Sequence, residues 1–417
     1  MSDTSLLDRI RYKPDGAIVE ELFQRYQLET LVEQFVSNGG VTPIYDQIIG
    51  AQLRLTPVIA PRLCSLLDEV REHLGFTEEV SLFVGQEPQI NAFAVHAHLD
   101  EMPHMICLTS GLVERMDDTE LSFVLGHELG HIQFRHFRMT LVKMAIGTDD
   151  QGESKMPPLL ARRMESWDRL AELSADRAGF IGANGKMNAV VSTFFKMASG
   201  LGPENLRFDI KAFLDQLVDL QKLKRRELIH QFSHPVIPIR ARALQLYHEA
   251  GGEKMSDEQL AAVDKEVAEI AALMDYEVTE PLEVQARDFL VAGGMLAAYA
   301  DGDVAQAEMD MLVSMLLPFT ADPEKELARI SNAEEANQLL DSAVEWLKAN
   351  AGAERFQLFN RLCHIVAVDG VLQDGERAFV LGLAEKLEIP EKSAKEMMFE
   401  ALTGYLKAKK PNPFKLG

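Results

Sequence analysis

The spacing of apolar residues divides this chain into long helical regions and one short region rich in strands. Apolar side chains at every third or fourth position predict helices before residue 45, at 61–75, from 117 to about 250 and from about 285 to 409. Three stretches bounded by proline or glycine predict strands or hairpins: VSLFVG at 80–85, INAFAV at 90–95 and HMICLTSGLV at 104–113. A polar loop rich in glycine and proline, at 146–158, interrupts the central helical region. We therefore expect an α+β fold that is mainly α, with a small sheet.

The last helical region contains an internal repeat. AAYADGDVAQAEMDML at 297–312 aligns with IVAVDGVLQDGERAFV at 365–380. In each copy Asp-Gly is followed by a glutamate seven positions after the aspartate, and apolar residues continue at matching offsets. The pattern predicts two helix–turn–helix units that pack as an all-α module with a pseudo-twofold core.

Charge and composition exclude several classes of partner. Acidic residues outnumber basic ones by 65 to 42, which gives a net charge of −23. A surface of this sign repels a phosphate backbone and an anionic membrane, so we expect no nucleic-acid partner. The chain shows no apolar run long enough for a signal peptide or a membrane span. Its three cysteines are far apart and odd in number, which is typical of a cytoplasmic protein without disulfides.

The stretch VLGHELGHIQFRH, at 124–136, carries the strongest candidate chemistry. Four residues make about one helical turn, so His127 and His131 project from one face and can share a metal ion. Asp117 and Glu120 predict a capping box at the start of this helix. Glu128 follows the first histidine and is placed to take a proton from a water bound to zinc. The alternative interpretation is an amphipathic helix with surface histidines.

A catalytic zinc site needs a third protein ligand. The glycine and histidine that metzincins place after the second ligand are both phenylalanine here, and His136 lies off the shared face, which makes it a weak ligand candidate. The segment WDRLAELSADRAGF offers Glu172 and Asp176, one turn apart on a predicted helix with small residues that permit close packing. Glu172 would bind the ion, and Asp176 would accept a hydrogen bond from a ligand histidine. By itself this spacing is also that of an ordinary charged helix.

INAFA, HELGH, ELSAD and SHPVIPIRARAL follow one another along the chain in this order. Together they resemble the gluzincin metallopeptidases that include HtpX and the CAAX prenyl protease. The resemblance covers about residues 55–250 and implies a zincin-like domain with zinc on His127, His131 and Glu172. It also implies that Glu128 is the general base.

The resemblance implies further roles. His234, in the His-Pro motif, would stabilise the oxyanion as a catalytic residue or cap the zinc in a latent state, and Arg240 would contact the carboxylates of the site. Asn91, Ala92 and Phe93 match the edge strand to which a peptide substrate adds. Without the resemblance, His234 is a loop histidine before a proline, and 91–93 is an ordinary core strand.

The repeat resembles the TerB-like (tellurite-resistance) module, an all-helical module associated with metal binding and stress responses. Its acidic residues are candidate oxygen ligands for Ca²⁺ or another divalent cation: Asp301, Asp303, Glu308, Asp369, Asp374 and Glu376. The alternative is that Asp-Gly and the glutamate only cap and turn the helices.

These observations predict the organisation of the chain. We expect a helical N-terminal extension at 1–54, a zinc metallopeptidase domain at 55–250, an acidic linker at 251–284, the TerB-like domain at 285–409 and a tail at 410–417. Known members of the peptidase family are membrane proteins or are exported. Because this chain shows neither feature, the sequence predicts a cytoplasmic version.

The leading hypothesis is a zinc endopeptidase that acts on unfolded or extended protein segments, with a zinc-bound water, a glutamate base and a regulatory or metal-responsive C-terminal module. The rival is a latent or non-catalytic zinc protein that recruits stress-related partners. A zinc hydrolase of non-peptide amides fits the same ligands. The sequence leaves the oligomeric state open.

Overall fold

The computed structural model describes residues 5–98, 102–147, 155–222, 236–274, 278, 280–300, 306–320, 322–368 and 370–408. The chain divides into two compact units, with the main boundary after Met274. The described residues are mostly helical with one four-stranded sheet, so the predicted fold class is confirmed. None of the helices in this described part combines the length and hydropathy needed to cross a bilayer.

Helices surround the sheet of the first unit. In chain order its elements are α1 (Leu6–Ile10), α2 (Lys13–Arg25), α3 (Leu28–Ser37), α4 (Thr42–Ala51), β1 (Leu53–Leu55), α5 (Pro61–Leu74), β2 (Val80–Gly85), β3 (Ala92–Val95), β4 (His104–Thr109), α6 (Ser110–Arg115), α7 (Asp118–Gln133), α8 (Phe137–Ile146), α9 (Pro158–Gly182), α10 (Met187–Ser199), α11 (Ile210–Lys222), α12 (Ile237–Glu249) and α13 (Asp257–Ala271).

The sheet has the strand order β1-β2-β4-β3. Strands β2 and β4 are parallel, whereas β1 and β3 pair antiparallel with their neighbours. Strand β4 is buried along its whole length, because Ile106 and Leu108 face one apolar core and Met105 and Cys107 face another. Strand β3 pairs with β4 on one side only and therefore forms an edge of the sheet.

The third predicted strand is shorter than expected, since residues 110–113 are helical. Thr109 is the last strand residue, and its side chain accepts a hydrogen bond from the amide of Leu112. This N-cap starts α6 directly after β4. The apolar pattern of the segment continues through the cap, which is why periodicity alone did not show the change of element.

Helices α7 and α9 pack unusually closely because glycine and alanine line their interface. A Cβ on Gly126 would lie 2.9 Å from the carbonyl oxygen of Ala178, and one on Gly130 would lie 2.8 Å from the Ala178 side chain. Gly179 and Gly182 meet the backbone of α7 in the same way. The small residues noted in the sequence therefore set the spacing between the two helices that carry the candidate ligands.

The predicted N-terminal extension and residues 251–274 of the predicted linker belong to the first compact unit. Leu7 and Ile10 of the N-terminal segment and Val267 of α13 belong to its main apolar core. Arg177 on α9 joins them, since it donates to the carbonyl of Ile10 at 3.1 Å and to Asp264 at 2.6 Å. Acidic composition suggested a linker, but the residues of α13 that alternate with the acids are apolar and buried.

The second unit is all-helical in its described part. Its elements are α14 (Pro281–Ala298), α15 (Gln306–Leu316), α16 (Pro323–Ala328), α17 (Ala333–Asn350), α18 (Ala353–Val366), α19 (Asp374–Lys386) and α20 (Glu391–Ala408). Helices α14 and α15 form the first copy of the repeat, and α18 and α19 form the second. Leu312 and Val380, which occupy matching positions in the repeat, are both fully buried. The predicted tail at 410–417 lies outside the described residues.

Candidate metal centre

Three side chains from α7 and α9 converge at one point. The Nε2 atoms of His127 and His131 lie 2.9 Å apart. The Glu172 carboxylate on α9 lies 3.5 Å from Nε2 of His127 and 3.4 Å from Nε2 of His131. Two imidazoles and one carboxylate are the donors of many catalytic zinc sites, and donors about 2 Å from a common ion lie about 3.3 Å apart. The donor set and spacing therefore fit a zinc ion.

The helix that carries both histidines is fixed at its start by its caps. Asp117 accepts hydrogen bonds from the amides of Thr119 and Glu120, and Glu120 accepts one from the amide of Asp117 at 2.8 Å. Lys196 and Ser192 on α10 both donate to the same buried Glu120 carboxylate, at 2.6 Å. Because these hydrogen bonds satisfy backbone groups at the start of α7 and the buried Glu120 carboxylate, the helix can begin within the core.

Asp176 and Arg240 lie directly behind the three side chains. Nδ1 of His127 is 3.1 Å from Asp176, so an Nδ1–H there donates to the carboxylate and leaves Nε2 free to bind a metal. Arg240 on α12 donates to Asp176 at 2.9 and 2.6 Å and contacts Glu172 at 3.0 Å. The arginine therefore supports both carboxylates of the site.

Arg240 lowers the pKa of both carboxylates that it contacts. Burial alone would raise the pKa of Glu172, but Arg240 and the hydrogen bond to His131 hold that pKa well below its ordinary value. The pKa of Asp176 is lowered in the same way by Arg240 against the effect of burial. Both carboxylates are therefore ionised near neutral pH, which is the form that binds a cation and orients a histidine.

Glu128 is buried in the same environment. Burial raises the pKa of the Glu128 carboxyl above its ordinary value, and His127 and His131 oppose that rise. Its neighbour Cys107 is neutral, since burial and the negative Glu128 raise the pKa of the thiol to about 12. The carboxyl group, and not the thiol, is therefore the group that can exchange a proton here.

A cavity of about 350 Å³ opens over the three candidate ligands. Glu128 and Arg240 line it, and so do Asn91, Ala92 and Phe93 at the edge of the sheet. Its walls include the apolar Phe123 and Val124. The structure thus brings the predicted strand segment to the same cavity as the predicted metal ligands.

The remaining predicted site residues either lie outside the described part of the chain or do not line the cavity. His234 lies outside the described residues, as do Asp301, Asp303 and Asp369 of the C-terminal candidate cation site. Glu376 is buried and accepts a hydrogen bond from the amide of Gln373 at 2.8 Å, which makes it a helix cap. Asp374 is almost fully exposed, and Glu308 is buried. Among the residues that the structure describes, His127, His131 and Glu172 are the group arranged to hold a metal.

Sequence reasoning missed Asp15 and set His136 aside. His136 lies 2.7 Å from His131, on the side away from the other ligands, and 3.2 Å from Asp15 of α2. The signal in the sequence was that His136 follows His131 closely along the chain. Nothing in the sequence linked Asp15 to a helix more than a hundred residues further along the chain.

Comparisons with known proteins identify two families in this chain. Residues 59–248 match the family model Peptidase family M48, and residues 287–398 match Tellurite resistance protein TerB, which confirms both resemblances noted in the sequence. The chain is 32% identical to the Plastoglobule-localized metallopeptidase 48, chloroplastic, of Arabidopsis thaliana over 199 aligned residues. This alignment covers 44% of this chain and 55% of that protein.

Shorter matches join the chain to bacterial proteases. It is 40% identical to a Protease HtpX homolog of Helicobacter pylori, over 19% of this chain and 24% of that protein. It is 36% identical to Protease HtpX of Xanthomonas euvesicatoria, over 20% of this chain and 28% of that protein. The chain thus spans about half the length of the plant relative and about a quarter of the bacterial ones. No solved structure matches it significantly.

Proposed function

We propose that this chain, which carries a Peptidase family M48 domain followed by a TerB domain, is a zinc-dependent endopeptidase. The observation that carries the proposal is the convergence of His127, His131 and Glu172 under an open cavity, with Glu128 on the same helix. The names of the relatives support a peptidase. The geometry adds the donor set that zinc hydrolases use and a carboxyl group for proton transfer.

The residues divide the chemistry among them. A bound zinc ion would act as a Lewis acid that polarises a carbonyl group and lowers the pKa of its bound water towards about 7. His127, His131 and Glu172 hold that ion, and Asp176 and Arg240 keep two of the three in position. Glu128 takes the proton of the attacking water and delivers it to the nitrogen of the leaving amine. We further propose that His234 stabilises the oxyanion, as the resemblance implies.

The edge strand supports an extended peptide as substrate. Strand β3 has one side paired with β4 and the other side along the cavity, so a peptide can add there as a further antiparallel or parallel strand. Folded proteins rarely expose backbone in this form, whereas unfolded segments do. We therefore propose that the enzyme cleaves unfolded or extended protein segments.

The C-terminal module is proposed to regulate or recruit and not to catalyse. It forms its own compact unit and contains no His/Cys/Asp/Glu cluster suited to a metal among its described residues. Its Ca²⁺ site stays a prediction, and the use of Glu376 as a helix cap favours the alternative that these acids stabilise turns. The cytoplasmic location also stays a prediction.

The proposal is tested by the metal dependence of proteolysis. Purified full-length chain should contain about one zinc ion and should degrade a denatured, fluorescently labelled protein. A chelator should abolish the cleavage, and added zinc should restore it. A chain that holds zinc but cleaves no unfolded protein would favour the latent binding protein, and one that cleaves only small non-peptide amides would favour the amide hydrolase.

A further inference from the structure

His131 contacts a further histidine, His136, through the ring nitrogen that faces away from the other candidate ligands. The peptidase motif does not include His136. Nδ1 of His131 lies 2.7 Å from Nδ1 of His136. Nε2 of His136 lies 3.2 Å from Oδ2 of Asp15. A continuous line of hydrogen bonds therefore runs from the candidate metal site through His131 and His136 to a carboxylate of α2.

The protons of this line have one consistent arrangement when a metal is bound. Nε2 of His131 faces the other donors, so its proton is on Nδ1. That N–H donates to Nδ1 of His136, which must then carry its own proton on Nε2. The Nε2–H of His136 donates to Asp15. The Asp15 carboxylate, which can only accept, therefore fixes the direction of both hydrogen bonds in this line.

Asp15 is suited to this role because it is buried and held by several hydrogen bonds. Its side chain is fully buried and accepts hydrogen bonds from Nε1 of Trp167 at 2.7 Å, Oγ of Ser174 at 2.7 Å and Nε of Arg11 at 2.8 Å. Trp167 and Ser174 belong to α9, the helix that also carries Glu172. The carboxylate that ends the line is therefore tied to the same helix as the third ligand.

The two histidine ligands are supported in different ways. His127 contacts Asp176 directly, at 3.1 Å. His131 reaches its carboxylate only through the additional imidazole of His136. His136 is not placed as a ligand, since its Nδ1 faces the Nδ1 of His131 and its Nε2 faces Asp15.

We propose that His136 and Asp15 are positioning residues of the metal centre, which makes the N-terminal helix α2 a functional part of the peptidase. The pair sets the tautomer and ring orientation of His131 and so raises its affinity for the ion. This inference rests on the proposed zinc site. It extends that site to a segment that lies before the region matched by the peptidase family model, residues 59–248.

The test measures zinc affinity on metal-stripped full-length chain by competition with a chromogenic chelator. His136→Leu removes both hydrogen bonds and should weaken zinc binding by about 10- to 100-fold. His136→Asn keeps an acceptor at the position of Nδ1 and should recover part of that loss. Asp15→Asn removes the charge at the end of the line and should weaken zinc binding by about tenfold.

Asp264→Asn is the matched control. Asp264 is also buried and also anchors α2, since it accepts from the amide of Lys13 at 3.3 Å and pairs with Arg177, but it has no contact with His136. Its substitution should lower thermal stability and leave zinc affinity within about twofold of the wild-type value. Circular dichroism of each variant shows whether the compared chains are folded. If His136→Leu does not fold, His136→Asn and Asp15→Asn decide the question.

The outcomes separate this inference from the proposed function. Zinc affinities of folded Asp15→Asn and His136→Asn equal to that of the wild type would overturn the positioning role. An equal loss in Asp264→Asn would also overturn it, because the effect would then follow from loosening α2. A wild-type chain that binds no zinc would instead overturn the proposed function itself.

Discussion

Arg240 and Asp176 form a buried two-point ion pair, in which Nε donates to Oδ2 at 2.9 Å and Nη2 donates to Oδ1 at 2.6 Å. The pair joins α12 to α9 behind His127. Burial would lower the pKa of the arginine, but Asp176 and Glu172 raise it, so the guanidinium stays charged. Two carboxylates and one guanidinium give this part of the site a net negative charge, which a divalent cation compensates.

Arg240→Ala should therefore destabilise the metal-free chain more than the zinc-loaded chain. Removing one partner of a buried ion pair costs about 3 kcal/mol, because the other charge is left uncompensated. A bound zinc ion supplies positive charge to the same carboxylates and reduces that cost. Denaturant unfolding of both forms measures the difference.

Arg242→Ala on the same helix is the control for that substitution. Its partner Glu249 is more than half exposed, and an exposed ion pair contributes at most about 1 kcal/mol. Equal losses for Arg240→Ala with and without zinc would contradict the link between the ion pair and the metal.

Gly130→Ala should separate the two ligand-bearing helices. The new methyl group would lie 2.8 Å from the side chain of Ala178 and 3.2 Å from Cα of Ala175, so α7 and α9 must move apart. We expect a loss of about 1–3 kcal/mol of folding free energy and weaker zinc binding. Gly50→Ala in α4 meets no atom within 4 Å and should instead stabilise by about 0.5–1 kcal/mol. Unchanged zinc affinity in Gly130→Ala would show that the helix spacing does not set the site.

Phe93→Ala should impair substrate binding without changing zinc content. Phe93 lines the cavity at the edge strand and is 43% exposed in the free chain, so a bound peptide can cover it. Loss of a central aromatic contact costs more than 1 kcal/mol, and we expect KM for a denatured protein to rise about tenfold. Val58→Ala, which is 93% exposed and does not line the cavity, should leave KM unchanged. A change in kcat alone would contradict this role.

His98 should make folding stability fall in mild acid. Burial, followed by the nearby His96, His104, Arg135 and Arg138, lowers the pKa of His98 to about 4. Nε2 of His98 also has no hydrogen-bond partner among the described residues. The unfolded chain binds the proton at about pH 6.5 and the folded chain only at about pH 4, so this contribution is complete above pH 6.5 and is lost as the pH falls towards 4.

Denaturant unfolding at pH 7.0 and pH 4.5 measures that loss. His98→Gln should reduce the difference between the two pH values, because glutamine does not titrate. The exposed His73 serves as the control, and His73→Gln should leave the difference as it is in the wild type. An unchanged difference in His98→Gln would rule out this assignment.

The features of the site that depend on a single helix could be predicted from the sequence. The spacing of His127 and His131 and the capping box at Asp117 depend only on helical geometry, and the structure has both. The position of Glu172 was suggested by small residues on its helix, which allow close packing. The family resemblance then implied the same ligand, whereas the spacing of Glu172 and Asp176 alone is also that of an ordinary charged helix.

The remaining features depend on contacts between distant segments. Asp15 reaches His136 because α2 packs on α9, and no local pattern in the sequence records that packing. The segment at 251–284 was predicted as a linker from its charge, whereas the apolar face of α13, within that segment, packs in the core of the first unit. Composition describes an average over a segment, but packing depends on which face carries the apolar residues.

Glu128→Gln tests the central claim most directly, with zinc content and proteolysis measured on the same sample. The substitution keeps the size of the side chain and leaves the three proposed ligands intact, but it removes the proposed proton acceptor. We predict about one zinc ion per chain, as in the wild type, and cleavage of a denatured protein reduced by at least about 100-fold. Cleavage at the wild-type rate with zinc retained would contradict the account.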